Sequence, residues 1–297
     1  MLSGSRQGFT FSVVEQYIPF RDLQADGEDV TIDNPDYVDS SLTHFVLGYD
    51  FGRFSLSLNT PFIYRAFRRL APFSGEEVGT ESGLGDIALV GRWVVLQKSS
   101  MESSLFMSLL GGVKLPTGDA ERLEQEVDEA RLLDSFYPPG SAHDPLHSLG
   151  GVHPHDLALG SGSVDGIFGM TLNLRWKRCF ISSQFQYYLR TEGESSFEFG
   201  DDLMVSGGPG AYVLLSEKYT LSLQANAGYE THARDKLLGR KSDQTGMRAW
   251  YLGPQLTFSF GRHFSAQAGV DVPLVIENNG LQSLPDYRIH GGFSFRF

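Results

Sequence analysis

The stretch "HFSAQAGVDVPLVIEN", residues 263–278, alternates apolar and polar side chains with a period of two. The apolar side chains occupy the even positions, which are Phe264, Ala266, Ala268, Val270, Val272, Leu274 and Ile276. Polar side chains occupy most odd positions, among them Ser265, Gln267, Asp271 and Glu277. This alternation is typical of a β-strand with one apolar face and one polar face.

The same alternation recurs along the chain, as in "TLSLQANAGYE" (220–230) and "FGMTLNLRW" (168–176). Many of these stretches are about twice as long as the usual globular strand. The first contains Glu15 on its apolar face, which a β-bulge would explain, and the eighth is rich in glycine, which leaves its register open. We predict twelve strands, at residues 8–20, 43–51, 53–65, 84–97, 103–116, 163–177, 179–191, 204–216, 219–232, 247–260, 263–277 and 286–297.

The predicted connections alternate in length. The even-numbered ones are tight turns such as "DFGR" and "GRH", and the odd-numbered ones are long, at 22–42, 66–83, 117–162, 192–203, 233–246 and 278–285. All long connections would therefore lie at one end of the sheet, and both chain termini at the other. An even number of antiparallel strands with this asymmetry is typical of an outer-membrane β-barrel with short periplasmic turns and long extracellular loops.

A soluble β-sandwich or a lipocalin-like barrel with an apolar interior would also alternate. Twelve strands, however, enclose more space than the eight that side chains can fill, so an apolar interior would leave large voids. We therefore predict an all-β fold, a single transmembrane up-and-down barrel over 1–297, with its polar face toward the lumen. The predicted pore-lining residues are Asp86, Arg92, Lys114, Asp165, Arg175, Gln184, Gln186, Arg190, Gln224, Asn226, Glu230, Gln255, Gln267, Asp271, Arg288 and His290.

Aromatic residues recur where the apolar faces meet the strand ends. Trp250 and Phe260 lie on one strand, and their spacing corresponds to a height of about 24 Å at a tilt near 45°. That height matches the apolar band between two aromatic girdles of an outer-membrane barrel. The predicted girdle residues are Phe51, Phe54, Trp176, Phe260, Phe264 and Phe297 near the tight turns, and Phe62, Tyr187, Tyr229 and Trp250 near the long loops.

Composition excludes several other classes of protein. The formal net charge of −12 argues against a nucleic-acid partner, because phosphate binding needs basic patches. The sequence has no run of eighteen apolar residues, and Cys179 is its single cysteine, which excludes an internal disulfide. The start "MLSGSRQGFTFSVV" predicts no signal peptide, so an exported chain would already have lost its leader.

Three stretches carry a family resemblance: "GLGDIALVGRW" (83–93), "GVKLPTGD" (112–119) and "LALGSGSVDGIFG" (157–169). In this order they resemble the bacterial family named for the meta pathway of phenol degradation. The resemblance implies an outer-membrane barrel and channel, with a loose link to aromatic substrates and no substrate-binding residues. The closing "FSFRF" also resembles the terminal signal read by the barrel-assembly machinery.

Register arithmetic places two charge pairs in the lumen. Taking opposite residues across the predicted turns, Asp86 faces Lys114 and Asp165 faces Arg190. We expect both ion pairs near the end of the barrel that carries the long loops, unless a bulge shifts either register.

The connection 117–162 is too long to be structureless. Leu123, Val127, Ala130 and Leu133 predict a short amphipathic helix, capped by Thr117 or Asp119, that lies across the mouth or folds into the lumen. The same connection contains His143, His147, His153 and His155 with Asp144 and Asp156. Zinc or copper would suit these groups, but their spacing matches no established motif, so we predict exposed loop histidines and no metal or cofactor.

The sequence therefore favours a passive outer-membrane channel for small molecules, amphipathic or aromatic ones in particular. The expected partners are outer-membrane lipid and lipopolysaccharide, which divalent cations would bridge to the acidic loops, and the barrel-assembly machinery through the C-terminal strand. The alternatives are a plugged structural or adhesive barrel and, less favoured, a lipid-modifying enzyme. The His-x-Ser-Asn-Gly stretch of the outer-membrane phospholipase is absent, so we predict no enzymatic activity.

Overall fold

A computed structural model of the chain describes residues 7–33, 35–137, 150–193 and 195–297. Its main sheet joins 15 strands by hydrogen bonds, and the first strand pairs with both the second and the last, which closes the sheet into a barrel. One short strand, Glu28–Asp29, is an extension of the first, and two barrel strands are each built from two stretches. The barrel therefore has twelve antiparallel strands, as the alternation predicts.

The strands have these bounds: β1 Gly8–Ala25, β2 Tyr37–Asp50, β3 Phe54–Ala71, β4 Gly75–Leu84 and Ala88–Ser99, β5 Ser103–Lys114, β6 Asp165–Trp176, β7 Cys179–Leu189, β8 Asp202–Leu215, β9 Tyr219–His232, β10 Met247–Phe260, β11 Phe264–Asn278, and β12 Leu281–Pro285 and Arg288–Arg296. Three shorter strands, Phe197–Glu198, Lys236–Leu237 and Arg240–Lys241, form a small separate sheet. Among the described residues, no helix is long and apolar enough to cross a membrane.

The two faces of the wall differ in chemistry. In β10, Trp250, Leu252, Leu256, Phe258 and Phe260 are exposed on the outside, and the residues between them face inward. Most other strands repeat this pattern, so the outside of the barrel is predominantly apolar. In β11 the alternation changes at a bulge opposite Trp250 and Tyr251, so that Ile276 pairs with the inward Ala249 and faces the interior. The bulge breaks the period-two pattern for the last residues of that stretch.

Two connections predicted to be long are mostly strand. Residues 66–83 form a hairpin that turns at 72–74, and residues 278–285 turn at Asn279 and Gly280. The hairpin is held by ion pairs between neighbouring strands, Arg68 with Glu76 at 3.0 Å and Arg69 with Glu77 at 2.7 Å. The strands therefore continue into this hairpin through paired charged residues, and an alternation of apolar and polar side chains does not predict such strands.

Glu15 remains on the outer face without a bulge. The pairing of β1 with β2 is regular from Gly8 to Phe20, so the register does not shift at this residue. The hydroxyl groups of Ser41 and Thr43 on β2 instead donate hydrogen bonds to its two carboxylate oxygens. Its polar neighbours, rather than a distortion of the strand, accommodate the charge.

The glycine-rich β8 has a fixed register. Gly207 and Gly208 have φ angles of +146° and +156°, and a Cβ atom on either would lie 2.1 Å from a neighbouring carbonyl oxygen, that of Ser182 or Ala225. Only glycine fits this close approach of three strands, which explains the composition of the stretch.

Two helices occupy the connection between β5 and β6. Helix α1, Glu121–Phe136, buries Leu123, Val127 and Ala130 as predicted, while α2 is a single turn, Pro154–Leu157. The predicted caps of α1 are wrong: its N-cap residue is Ala120, which has no side chain to cap it. The Thr117 hydroxyl accepts a hydrogen bond from the Ile87 N–H instead, and Asp119 accepts one from the Glu121 N–H.

Candidate functional site

Residues 150–163, which we call the plug segment, enter the barrel at the end opposite the tight turns. All but two of them, Asp156 and Gly162, are buried. Val152 and Leu157 pack in an apolar cluster with Val38 and Phe67 of the barrel wall. Burying side chains of this size contributes roughly 1.5–3 kcal/mol each, so the segment is anchored by the hydrophobic effect.

Backbone hydrogen bonds hold both ends of the plug segment. The Ser283 N–H donates to the Gly151 carbonyl at 2.9 Å, and the N–H groups of Leu159 and Gly160 donate to the Asp119 carbonyl at 3.1 and 2.7 Å. The chain that leaves the wall at Asp119 thus returns to the same place at Gly160. The chain between these two points, residues 120–158, therefore starts and ends at the same place on the wall, and we call it the excursion.

A cavity of about 560 Å³, which we call the chamber, lies between the plug segment and the wall. This volume falls within the range of small-molecule binding sites, roughly 300–1,000 Å³. One side is lined by apolar residues of β1 to β3, and the other by charged residues. The chamber is therefore amphipathic.

Sequence reasoning missed the apolar side of the chamber, which consists of Ile18, Phe20, Val38, Leu42 and Ile63. These residues occupy inward positions that the polar-lumen rule assigns to polar side chains. A signal exists in the sequence: "YIPF" (17–20) on β1 and "PFIY" (61–64) on β3 are apolar on both faces, at the same end of the two strands that flank β2. Two-sided apolar runs there indicate that something packs against the inside of the wall.

Both predicted ion pairs are present on the charged side. Lys114 Nζ lies 2.6 Å from Asp86 Oδ2, and Arg190 Nη1 lies 3.0 Å from Asp165 Oδ2. Lys114 also lies 2.7 Å from Asp165, directly across the β5–β6 ladder. The two pairs are therefore one network, which the separate register calculations do not show.

The network continues through residues that sequence reasoning missed. Arg190 lies 2.5 Å from Asp202, and His232 lies 2.6 Å from Asp202 and 2.9 Å from Asp235. Asp235 lies 3.8 Å from His155 of the plug segment. A chain of alternating charges thus connects strands β4 to β9 with the plug segment.

His155 is buried among acidic groups. Glu126 of α1 lies 3.3 Å from its Nδ1, and Asp156 and Asp235 lie 3.5 and 3.8 Å from its Nε2. Burial alone would lower the pKa of His155, but Asp156, Glu126 and Asp235 offset that cost and raise it to about 10. His155 is therefore an imidazolium at neutral pH, and the predicted exposed loop histidine is wrong for this residue and for the equally buried His153.

Side-chain atoms of His153, His155 and Asp156 lie within 4.8 Å of one another, close enough to surround a metal ion. Metal binding needs a neutral imidazole, so the proton on His155 would have to leave first. His143, Asp144 and His147 lie outside the described residues. That these histidines bind no metal stays a prediction.

The charge on His155 predicts a loss of stability at alkaline pH. Its pKa in the folded protein is above the ordinary value near 6.5, so its contribution is complete below that value and is lost as pH rises through about 10. Besides Glu126, Asp156 and Asp235, the rings of His153, Phe197 and Phe199 face it. We expect the urea midpoint of the wild type to exceed that of His155→Asn at pH 8 and to converge with it by pH 11.

The difference between the two proteins is the quantity to measure, because lysines and tyrosines titrate in both over the same range. A difference that stays constant from pH 8 to pH 11 would contradict the assignment of the charge to His155.

Other predicted pore-lining residues also face the barrel interior. Arg288 binds Glu230 in a two-pronged ion pair and donates to the Tyr251 hydroxyl at 3.0 Å. His290 lies 3.5 Å from Asp271, whose carboxylate accepts a 3.3 Å hydrogen bond from Asn226. These five charged or amide side chains make a second polar group inside the barrel.

The interior glutamines differ in exposure. Gln224 is buried and donates to the Ser182 hydroxyl at 2.7 Å, and Gln186 and Gln255 are half-buried. Gln184 and Gln267, in contrast, are exposed although they point inward. Their exposure indicates open space inside the barrel below the chamber.

A second cavity, of about 420 Å³, lies at the tight-turn end. Arg92 lines it and bonds to the Ser55 hydroxyl at 3.1 Å and to Asp50 at 3.5 Å. Asp50 also lies 3.0 Å from Arg296. Arg175 faces inward at the same end and donates to the Lys177 carbonyl at 3.0 Å.

The predicted girdle residues lie on the outer face. Tyr229 and Trp250 are in contact near the plug end, with ring centroids 4.6 Å apart and ring planes inclined at 44°. Phe62 is exposed at the same end, and the Tyr187 hydroxyl donates a hydrogen bond to Asp201 at 2.6 Å. At the tight-turn end, aromatic rings flank the turns, with Phe297 the most exposed of them at 70%. The residues of this second group are Phe51, Phe54, Trp176, Phe260, Phe264 and Phe297. That the two groups are membrane girdles stays a prediction.

The chain is similar to solved outer-membrane barrels. An outer-membrane channel from Pseudomonas putida F1 superimposes with a TM-score of 0.68 at 14% identity, over 98% of this chain and 96% of that one. The transport unit of the autotransporter AIDA-I from Escherichia coli gives 0.49 at 10% identity, over 100% and 92%. The monoaromatic hydrocarbon channel CymD gives 0.39 at 6% identity, over 98% and 89%.

No family model matches the chain, and no curated protein matches its sequence. The first superposition shows the fold, and the other two are too weak to support an argument. This chain has the twelve-stranded, closed, antiparallel barrel of an outer-membrane protein.

Proposed function

We propose that this protein is an outer-membrane channel for passive diffusion of small amphipathic molecules. The observation that carries the proposal is the pair of cavities inside one closed barrel, the chamber at the plug end and a second space at the tight-turn end. Between them, inward-pointing side chains such as Gln184 and Gln267 are exposed. The similar barrel from Pseudomonas putida F1 is itself described as an outer-membrane channel, which supports the proposal.

The outer face supports placement in a lipid bilayer. Large apolar side chains are exposed over nearly the whole wall, far beyond the few hundred Å² that a soluble monomer exposes. The resemblance to the family named for phenol degradation adds an expectation of aromatic solutes. The mixed lining of the chamber is compatible with such solutes, and no enzymatic activity is part of the proposal.

A plugged structural barrel is the second candidate, and the buried plug segment favours it. Planar-bilayer recordings of the purified protein distinguish the two. A channel gives discrete conductance steps, and liposomes that contain it swell in small neutral solutes. Absence of steps at every voltage, with no swelling, would overturn the channel and leave the plugged barrel.

The last strand is proposed to be the contact with the barrel-assembly machinery. Phe293, Phe295 and Phe297 point outward, and the Phe297 N–H donates to the Phe9 carbonyl at 2.9 Å, which completes the seam between the first and last strands. Deletion of Phe297 should reduce the amount of assembled barrel in outer-membrane fractions severalfold. The single-channel conductance of the protein that does assemble should be unchanged.

The matched control for this deletion is Phe136→Ser, which changes an exposed phenylalanine on α1 outside the barrel wall. Its amount in the membrane should equal that of the wild type. Normal assembly of the Phe297 deletion would contradict the proposed role of the terminal strand.

A further inference from the structure

The chamber is lined by an arginine, Arg65, that forms no ion pair with any described residue. Arg65 of β3 points inward and lines the chamber, and its Nη1 donates to the Ala158 carbonyl of the plug segment. Within the part of the chain that the structure describes, no ion pair involves Arg65. By contrast, Lys114 and Arg190, which also line the chamber, are each paired with two carboxylates.

The guanidinium of Arg65 has donors beyond the one that binds Ala158. A guanidinium carries five N–H groups, and here only the bond to Ala158 uses one. Arg65 is half-buried and lines the chamber, so part of its side chain is in contact with the open space there. A half-buried charge without a counter-ion is unfavourable, which makes the position receptive to an anion.

The acidic groups around the chamber neither form an ion pair with Arg65 nor prevent an anion from binding to it. Asp86 is paired with Lys114, Asp156 lies beside His155, and Asp235 lies beside His232. Asp156 and Glu81 also stabilise the charge of Arg65 electrostatically, but each lies in direct contact with another cation, His155 or Arg122. Within the described residues, no carboxylate accepts a hydrogen bond from the guanidinium of Arg65.

Apolar surface lies beside the guanidinium. Ile63 precedes Arg65 by two residues on the same face of β3, and Val38, Leu42 and Phe20 line the adjoining wall. A ligand that fits both features has a carboxylate for the guanidinium and a compact apolar body for the wall. Carboxylates match the planar fork of arginine in a two-pronged geometry that lysine does not offer.

We propose that the chamber is a binding site for amphipathic monocarboxylic acids, with Arg65 holding the carboxylate and β1 to β3 holding the apolar body. This proposal deepens the proposed function, on which it rests, by naming a class of solute that pauses at the chamber. The geometry also predicts the selectivity of the site: a carboxylic acid should bind more tightly than its uncharged amide.

The test is calorimetric titration of the purified protein in detergent with benzoate and with benzamide, its neutral analogue of the same shape. Benzoate should bind saturably and benzamide much more weakly. Arg65→Gln should weaken benzoate binding by about tenfold or more, the equivalent of one lost charge-assisted interaction, and leave benzamide unchanged. Arg65→Lys should bind with intermediate affinity, because the charge remains without the fork.

Arg178→Gln is the matched control, since Arg178 is an exposed arginine that also donates to a backbone carbonyl, that of Val213, at 3.5 Å. Its benzoate affinity should equal that of the wild type. Benzoate affinity that is absent, or equal in wild type and Arg65→Gln, would overturn the carboxylate site. Because the titration needs no flux, conductance without benzoate binding would defeat this inference alone, and binding without conductance would defeat the channel alone.

Discussion

Removal of the excursion between Asp119 and Leu159 is expected to raise the single-channel conductance about threefold or more, since a twelve-stranded barrel without the plug encloses an open lumen. The variant replaces residues 120–158 with two glycines. The Leu159 and Gly160 N–H groups already lie 3.1 and 2.7 Å from the Asp119 carbonyl, so the cut ends meet without moving the wall. Conductance in planar bilayers is the measurement, and heat-modifiable mobility on gels confirms that the barrel has folded.

Two point substitutions distinguish the effect of the plug segment on conductance from that of the rest of the excursion. Leu157→Ser removes a fully buried apolar anchor of the plug segment and should raise the frequency of large conductance steps. Leu132→Ser makes the same change at a side chain of α1 that is 51% exposed, and should leave the recordings unchanged. Equal conductance in the wild type and the excision variant would show that the plug segment does not limit flow.

Asp165→Asn is expected to lower the free energy of unfolding by about 1.5–3 kcal/mol, because Lys114 and Arg190 lose their shared counter-ion while each keeps one other carboxylate partner. The Asp165 carboxylate has no solvent exposure and lies 2.7 Å from Lys114 and 3.0 Å from Arg190. It also accepts hydrogen bonds from the Ser163 hydroxyl at 2.8 Å and the Thr191 N–H at 3.1 Å. Urea titration of the barrel refolded into lipid vesicles measures the change.

Asp39→Asn is the control, because it makes the same substitution in an ion pair on the outside of the barrel. Its partner Arg21 lies 2.5 Å away, and the side chain of Arg21 is 55% exposed. The expected loss in the free energy of unfolding is therefore within about 1 kcal/mol. If Asp165→Asn costs no more than Asp39→Asn, the buried network does not stabilise the barrel.

The strands were predictable because their alternation is a local property of the sequence. Period-two patterning places Trp250 and Phe260 on the outside and Gln255 on the inside without knowledge of any partner strand. It fails where a ladder is made of charges, as at Arg68 and Arg69, and where a bulge reverses the faces, as before Ile276. Both failures have the same cause, since pairing depends on the neighbouring strand and not on the segment alone.

The candidate site was predictable only in part. Asp86 with Lys114 and Asp165 with Arg190 follow from counting across a tight turn, because each pair belongs to neighbouring strands. The contact of His155 with Asp235 does not, because it joins a long connection to another part of the wall. Arg65 is recognisable as a candidate only once it is known that no ion pair joins it to another described residue, which requires the three-dimensional arrangement.

The carboxylate of Glu15 has a consequence for how the first two strands align. Both of its oxygens accept hydrogen bonds from hydroxyls of β2, and they can do so only when β1 is paired as observed, with Glu15 opposite Thr43. A slip of β1 against β2 by two residues would keep the same side chains on the outer face, yet would place Glu15 opposite Ser41 or Phe45 and disturb this pair of hydrogen bonds. Glu15 therefore favours the observed register of β1 and β2 over slipped registers that hydrophobicity alone would tolerate.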